Sequence, residues 1–189
     1  MTDKIREILE GRGVMRIVIA IDPGTTQSAY VVWDGTDIRE HDIIANDSLE
    51  AKLYGIYSKF PLYDDAFCKG TYVAIEKIAS MGMAVGEAVF ETVFWTGRFY
   101  GAALEDLEHS HISRIPRSEV KMALCGSMQA KDANIRQAII NRFEPELMPK
   151  QRPKGVLKGI KADEWQALAV AIVQWDKLEL EEKIVHTDN

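Results

Sequence analysis

Residues 15–35 read MRIVIAIDPGTTQSAYVVWDG. The first seven are rich in β-branched side chains and stop at Asp22-Pro23-Gly24, which predicts a buried strand over 15–21 ending in a turn. A second strand over 28–33 follows after a short connection and pairs with the first, with Asp34-Gly35 as the next hairpin turn. Residues 37–44 suit a third, antiparallel strand. Asp47 and Ser48 offer N-caps for a helix to about 59, stopped by Pro61. Further along, TYVAIE at 71–76 is another short buried strand, 85–104 is a long apolar stretch with helical spacing, and 110–115 alternates as a strand does. Helices over 118–124 and 131–143 come next, then a loop over 144–160 of unusual length for a compact domain. A last helix covers 161–177, and an acidic tail over 179–189 is expected to fray. Three antiparallel strands followed by alternating helices and strands imply an α/β fold: a mixed sheet, antiparallel then parallel, with helices on both faces.

A chain of 189 residues with 47% hydrophobic and 28% charged side chains has the size and composition of one globular domain. The reading divides it into an N-terminal extension (1–14), a domain (15–178) and the tail. No apolar run approaches the roughly 20 residues that a membrane span requires. The opening MTDKIREILEGRG has no apolar h-region, so a cytoplasmic location is expected. Cys68 and Cys125 lack a CxxC partner, in keeping with a reduced compartment. The net charge of -6 is unevenly spread: residues 111–161 carry 11 Lys/Arg against 4 Asp/Glu. A basic block inside an acidic protein marks a polyanion partner, because binding follows the local field. A merely solvated basic face is the competing explanation.

Asp22 and Glu76 each close a predicted strand, and Asp163 lies in the first turn of the last helix. A carboxylate at a buried strand end is costly unless something cationic neutralises it. Three converging carboxylates are hard oxygen ligands suited to Mg²⁺ or Mn²⁺. Two such ions about 4 Å apart give the arrangement that activates water and stabilises the leaving oxygen in phosphodiester hydrolysis. Taken singly, Asp22 could equally cap a turn, and Asp163 a helix.

IAIDPGTTQSAYVVW, VAIEKI and KADEWQALAVAI closely resemble, in order and spacing, the three acidic motifs of the RuvC family of Holliday junction resolvases, which have a ribonuclease H-like fold. The resemblance spans roughly residues 17–173 and leaves bacterial and phage-type membership both open. It implies a metal-dependent endonuclease that, as a homodimer, nicks two opposed strands of a four-way DNA junction. By position, Asp22, Glu76 and Asp163 match the metal-binding acids, with Asp22 shared between two ions. SEVKMALCGSMQAK resembles the family's basic segment and puts Lys121 and Lys131 where backbone-binding lysines are found; neighbouring Arg114 and Arg117 are further candidates for phosphate contacts.

Two departures stand out. The fourth family acid, one helical turn after Asp163, is Gln166 here, a neutral amide. Glu164 is adjacent but lies about 100° round the helix, which favours Gln166 as the residue facing the site. The aromatic that bacterial members carry three residues after the second acid is Ala79, for which Met81 or Met83 could substitute as flexible apolar groups. The opposing functional class is a branched-DNA binder of the same fold that has lost cleavage.

DPGTT also resembles the phosphate-binding turn of actin-like and sugar-kinase ATPases, but no second phosphate motif follows and 189 residues leave no room for two lobes. His109 and His111 would share one side of a strand, with no third ligand at metal spacing. Phe94, Trp95 and Phe99 are read as core or dimer interface. Gly82, Gly86, Gly97 and Gly101 permit another backbone to approach the long helix.

Overall fold

The computed structural model describes residues 16–59, 70–79, 85–148 and 151–187. The expected N-terminal extension, Cys68, Met81, Gly82 and Met83 lie outside the described residues. Five strands, β1 (Ile17–Asp22), β2 (Gln27–Trp33), β3 (Ile38–Ala45), β4 (Thr71–Lys77) and β5 (Ile112–Pro116), form one sheet in the order β3-β2-β1-β4-β5. β1 and β2 are antiparallel, as are β2 and β3, whereas β1 and β4, and β4 and β5, are parallel. This is the mixed α/β sheet expected from the sequence.

Helices cover both faces because the strands are apolar on both sides. On one face α1 (Asn46–Lys59) and α2 (Glu87–Leu104) pack Leu49, Leu53, Trp95 and Phe99 over Ile19, Ile21, Val32 and Ile75. On the other, α3 (Arg117–Cys125), α4 (Asp132–Phe143) and α5 (Glu164–Thr187) cover Val18, Ala20, Val31 and Ala74. The small side chains of Ala20, Ala29 and Ala74 let α5 approach closely, and its residues 164–173 are buried all round, as in a central helix.

Two segments differ from the sequence reading. His109–His111 forms a 3-10 turn before β5 instead of strand, so His109 turns to the Tyr100 hydroxyl (3.0 Å) and His111 packs against the Tyr72 ring. The last helix continues to Thr187, through most of the segment read as a fraying tail. Leu178 is buried, Glu179 accepts the Trp175 indole N–H at 2.9 Å, and Glu182 pairs with Arg16, so the segment is tied to the body. Acidic composition concealed this, since Arg16, the partner of Glu182, lies 166 positions away in sequence. No helix among the described residues is long and apolar enough to cross a membrane.

Candidate active site

Register places two of the acids. Ile21 pairs with Ile75 in the parallel β1–β4 ladder, so the next residues, Asp22 and Glu76, sit side by side at the carboxyl ends of their strands. Both follow alanines that face α5, so by the two-residue period both point to that side. The turn after Asp22 is tightly organised. Ser28 Oγ accepts the Gly24 N–H (3.1 Å) and donates to Asn46 Oδ1 (2.7 Å), while Asn46 Nδ2 donates to the Gly24 carbonyl (3.1 Å). A Cβ on Gly24 would lie 2.2 Å from the Gln27 carbonyl oxygen, so only glycine fits. Ser28 and Asn46 were not singled out in the sequence; a serine and an asparagine 18 residues apart carry no local signal that they meet.

Burial, the charge of Glu76 and that of Asp163 push the Asp22 carboxyl up to about 8, with Arg117 pulling the other way, and Asp22 is within hydrogen-bonding reach of Glu76. Asp163 is exposed at the start of α5 and acts on Asp22 through its field. The preceding Ala162 is in the left-handed region, φ 41°, which turns the chain sharply into the helix.

Arg117 is part of this cluster. Its Nη1 donates to both Glu76 oxygens at 2.9 Å, and its Nη2 donates to Asp132 Oδ1 at 2.5 Å. Burial opposes its charge, but the two carboxylates prevail and hold its pKa above the ordinary arginine value. The guanidinium expected on a DNA-facing surface is therefore committed to two acids here, and Asp132, in the first turn of α4, is brought in by it. Arg114, also expected near phosphates, pairs in register with Ile75 and lies by the Tyr100 ring, on the α2 side of the sheet away from Asp22 and Glu76. Lys121 is half-buried on α3, and Lys131 is exposed just before α4, where its backbone N–H is capped by Asn134 Oδ1 at 2.8 Å.

Glu164 and Gln166 take different directions. Glu164 is fully buried; one oxygen accepts the Lys161 N–H at 2.8 Å and the other lies 3.2 Å from His41 Nδ1 on β3, so it serves the start of the helix. Gln166 is 8% exposed and its Oε1 is buried with no hydrogen-bond partner, in the wall of a groove that begins beside Asp132.

The donor chemistry fits a divalent cation: hard carboxylate oxygens, one of them pushed toward its protonated form by burial and then by neighbouring like charge, and a guanidinium drawn onto another. No group of three or more His, Cys, Asp or Glu among the described residues is spaced to close on a metal ion. The contact pair is Asp22–Glu76, with Asp163 at the rim.

This topology is shared with solved structures. A Thermus thermophilus RuvC structure superposes with a TM-score of 0.63 over 87% of this chain and 96% of that one, at 16% identity. The chain has the RuvC fold. A second structure, T. thermophilus RuvC in complex with a Holliday junction substrate, matches with a TM-score of 0.59 over 84% of this chain and 92% of the other, at 18% identity. No protein-family model matches the sequence. No curated protein matches it by sequence either. Within this fold Asp22 and Glu76 stand at adjacent parallel strand ends, on the side of the sheet that α5 covers.

Proposed function

We propose that the protein is a divalent-metal-dependent, structure-selective DNA endonuclease that resolves four-way junctions by paired nicks as a homodimer. The observation that carries this reading is the Asp22–Glu76 pair at adjacent strand ends of a RuvC fold, with Asp163 in its field. Asp22, Glu76 and Asp163 would hold Mg²⁺ or Mn²⁺, two ions per site, with Gln166 helping from α5. When bound, the ions supply a nucleophilic water and neutralise charge on the phosphoryl group. The chain itself does the rest: Glu76 and Asp22 gather negative charge at one point, and Arg117 anchors Glu76. Lys121 and Lys131 bind phosphates and position the strand without reading its sequence.

A homodimer is supported by α2. Its inner face buries Trp95 and Phe99, while Phe90, Val93 and Phe94 are 66%, 51% and 52% exposed and continue into Gly97 and Gly101, which have open space around them. That i, i+3, i+4, i+7 stripe is an apolar helix face suited to a second copy of itself about a two-fold axis.

The test is cleavage of a panel of branched and linear DNAs with Mg²⁺, with Mn²⁺ and in EDTA. Junctions are nicked symmetrically with metal, and Asp22→Asn abolishes nicking while junction binding stays within a fewfold, because the basic surface is intact. Near-normal cleavage by Asp22→Asn overturns the assignment. The guanidinium on Glu76 and the amide at Gln166 favour one second reading, a binder of branched DNA that does not cut, which shifts junctions in EDTA and leaves them whole with either metal.

A further inference from the structure

Beside the acids, α4, the segment 151–162 and the first turn of α5 enclose a groove of about 790 Å³. Arg136, Arg152, Lys158 and Lys161 line it, and all four are exposed. Among the described residues none of the four forms an ion pair, whereas Arg39, Arg98, Arg142 and Lys177 each hold a carboxylate. Four cations without an ion pair around one groove, in a protein of net charge -6, make a local positive field that suits an anionic occupant.

The groove is built, not a chance gap between mobile side chains. Glu144, 5% exposed, accepts the backbone N–H groups of Lys154 (3.0 Å), Gly155 (3.0 Å) and Leu157 (3.2 Å). With Leu157 and Ile160 buried in the core, the long loop is pinned at its centre and presents Arg152 and Lys158 from fixed backbone. Arg136 lies 5.0 Å over the Trp165 ring, which holds its guanidinium against the wall. Gln166 contributes an acceptor oxygen that is buried in this wall and has no partner, a position that a water bridging to a phosphate oxygen satisfies.

The groove also adjoins the catalytic cluster. Gln166 is three residues after Asp163 on α5, and Asp132, which lines the groove, is joined through Arg117 to Glu76. Cations spread over α4 and along the segment 151–162 suit an extended polyanion better than a single phosphate. We propose that this groove carries the sugar-phosphate backbone of the DNA strand continuing away from the acids, so that Arg136, Arg152, Lys158 and Lys161 form a second phosphate-binding track beside Lys121 and Lys131. The proposal rests on the DNA-binding part of the reading above and not on cleavage.

Its test is fluorescence anisotropy with a fluorescein-labelled four-way junction in EDTA, over about 50 to 200 mM salt. Replacing Arg136, Arg152 and Lys158 together by Ala weakens binding at least about tenfold and lowers the slope of log affinity against log salt by about three units, near 0.9 per cation. The charge-conserving triple variant (Arg136→Lys, Arg152→Lys, Lys158→Arg) keeps the wild-type slope. Lys158→Ala alone, at an exposed position, lowers it by about one unit and decides the matter if the triple variant does not fold. An unchanged slope in a folded Ala variant, with wild type binding normally, overturns the groove and leaves the endonuclease reading standing. Failure of wild type to bind any junction sinks both.

Discussion

At the scale of single residues, the decisive feature is a carboxyl that stays protonated near neutral pH. With the folded-state value of Asp22 pushed up to about 8 from an ordinary 3.8, the folded protein holds a proton that the unfolded chain has released. The metal-free protein therefore loses stability as pH rises between those two values. A divalent ion needs the carboxylate, so its binding expels this proton and stabilises more strongly as pH climbs. Thermal melts from about pH 5 to about pH 8 show the metal-free wild type losing stability relative to Asp22→Asn, and an Mn²⁺-induced rise in Tm that grows with pH only in wild type. A pH-independent difference between the two proteins contradicts this. Because Arg117 pulls the Asp22 pKa down, Arg117→Ala moves the pH dependence of the Mn²⁺ effect upward.

Gln166 is the other residue-scale question. Its buried, unpartnered oxygen lies in the groove wall one turn after Asp163. Gln166→Asp restores a fourth negative charge on that helix face and lowers the Mg²⁺ concentration needed for half-maximal cleavage, whereas wild type works better with Mn²⁺, the tighter-binding ion. Mg²⁺ titrations of wild type, Gln166→Asp and Gln166→Ala check this; three coincident curves would place Gln166 outside the metal site.

Elements hold these residues in place. The Asp22-Pro23-Gly24 turn is fixed by Ser28 and Asn46, and Gly24 has no room for a Cβ against the Gln27 carbonyl. That oxygen belongs to backbone already committed to β2, so the clash cannot be relieved by a side-chain rotation. Gly24→Ala accordingly destabilises the fold by about 1–3 kcal/mol and displaces Asp22, which is read as a lower Tm and a loss of the Mn²⁺-induced shift. A variant as stable as wild type would show that the turn has slack. The loop over 151–161 belongs to the same scale. Its length and basic residues are plain in the sequence, but its order comes from Glu144, whose three backbone partners lie 10 to 13 positions further on.

Across the whole molecule, charge and apolar surface are segregated. The acids and the cationic groove lie at one end of the parallel strands, and the exposed stripe of α2 lies on the opposite face of the sheet from α5. The proposed two-fold pairing through Phe90 and Phe94 would bury that stripe on the face of the sheet away from both acidic clusters. Light scattering gives twice the 21.3 kDa chain mass for wild type and the chain mass for Phe90→Asp/Phe94→Asp, whose far-UV circular dichroism is unchanged because both rings are exposed in the monomer. A dimer that survives both substitutions uses another surface.

The sequence by itself determined the strands and most helices, because periodicity and turn residues are local: residues 15–35 alone give two strands and the turn between them. It also singled out Asp22 and Glu76, since a carboxylate ending an apolar strand is anomalous wherever the strand goes. Folding decided which groups meet these acids. Arg117, expected from the sequence as a DNA contact, and Asp132 are 15 residues apart; the β5–α3 junction and the start of α4 bring them together, so that Arg117 bridges Asp132 and Glu76. Likewise the tail read as acidic and frayed is ordered by Arg16 and by burial of Leu178, partners more than a hundred residues apart in the first case. Local propensity reports what a segment prefers alone. Neutralisation of a buried charge, the pairing of a distant arginine and the shape of a groove depend on distances in space, which only the packed sheet and helices set.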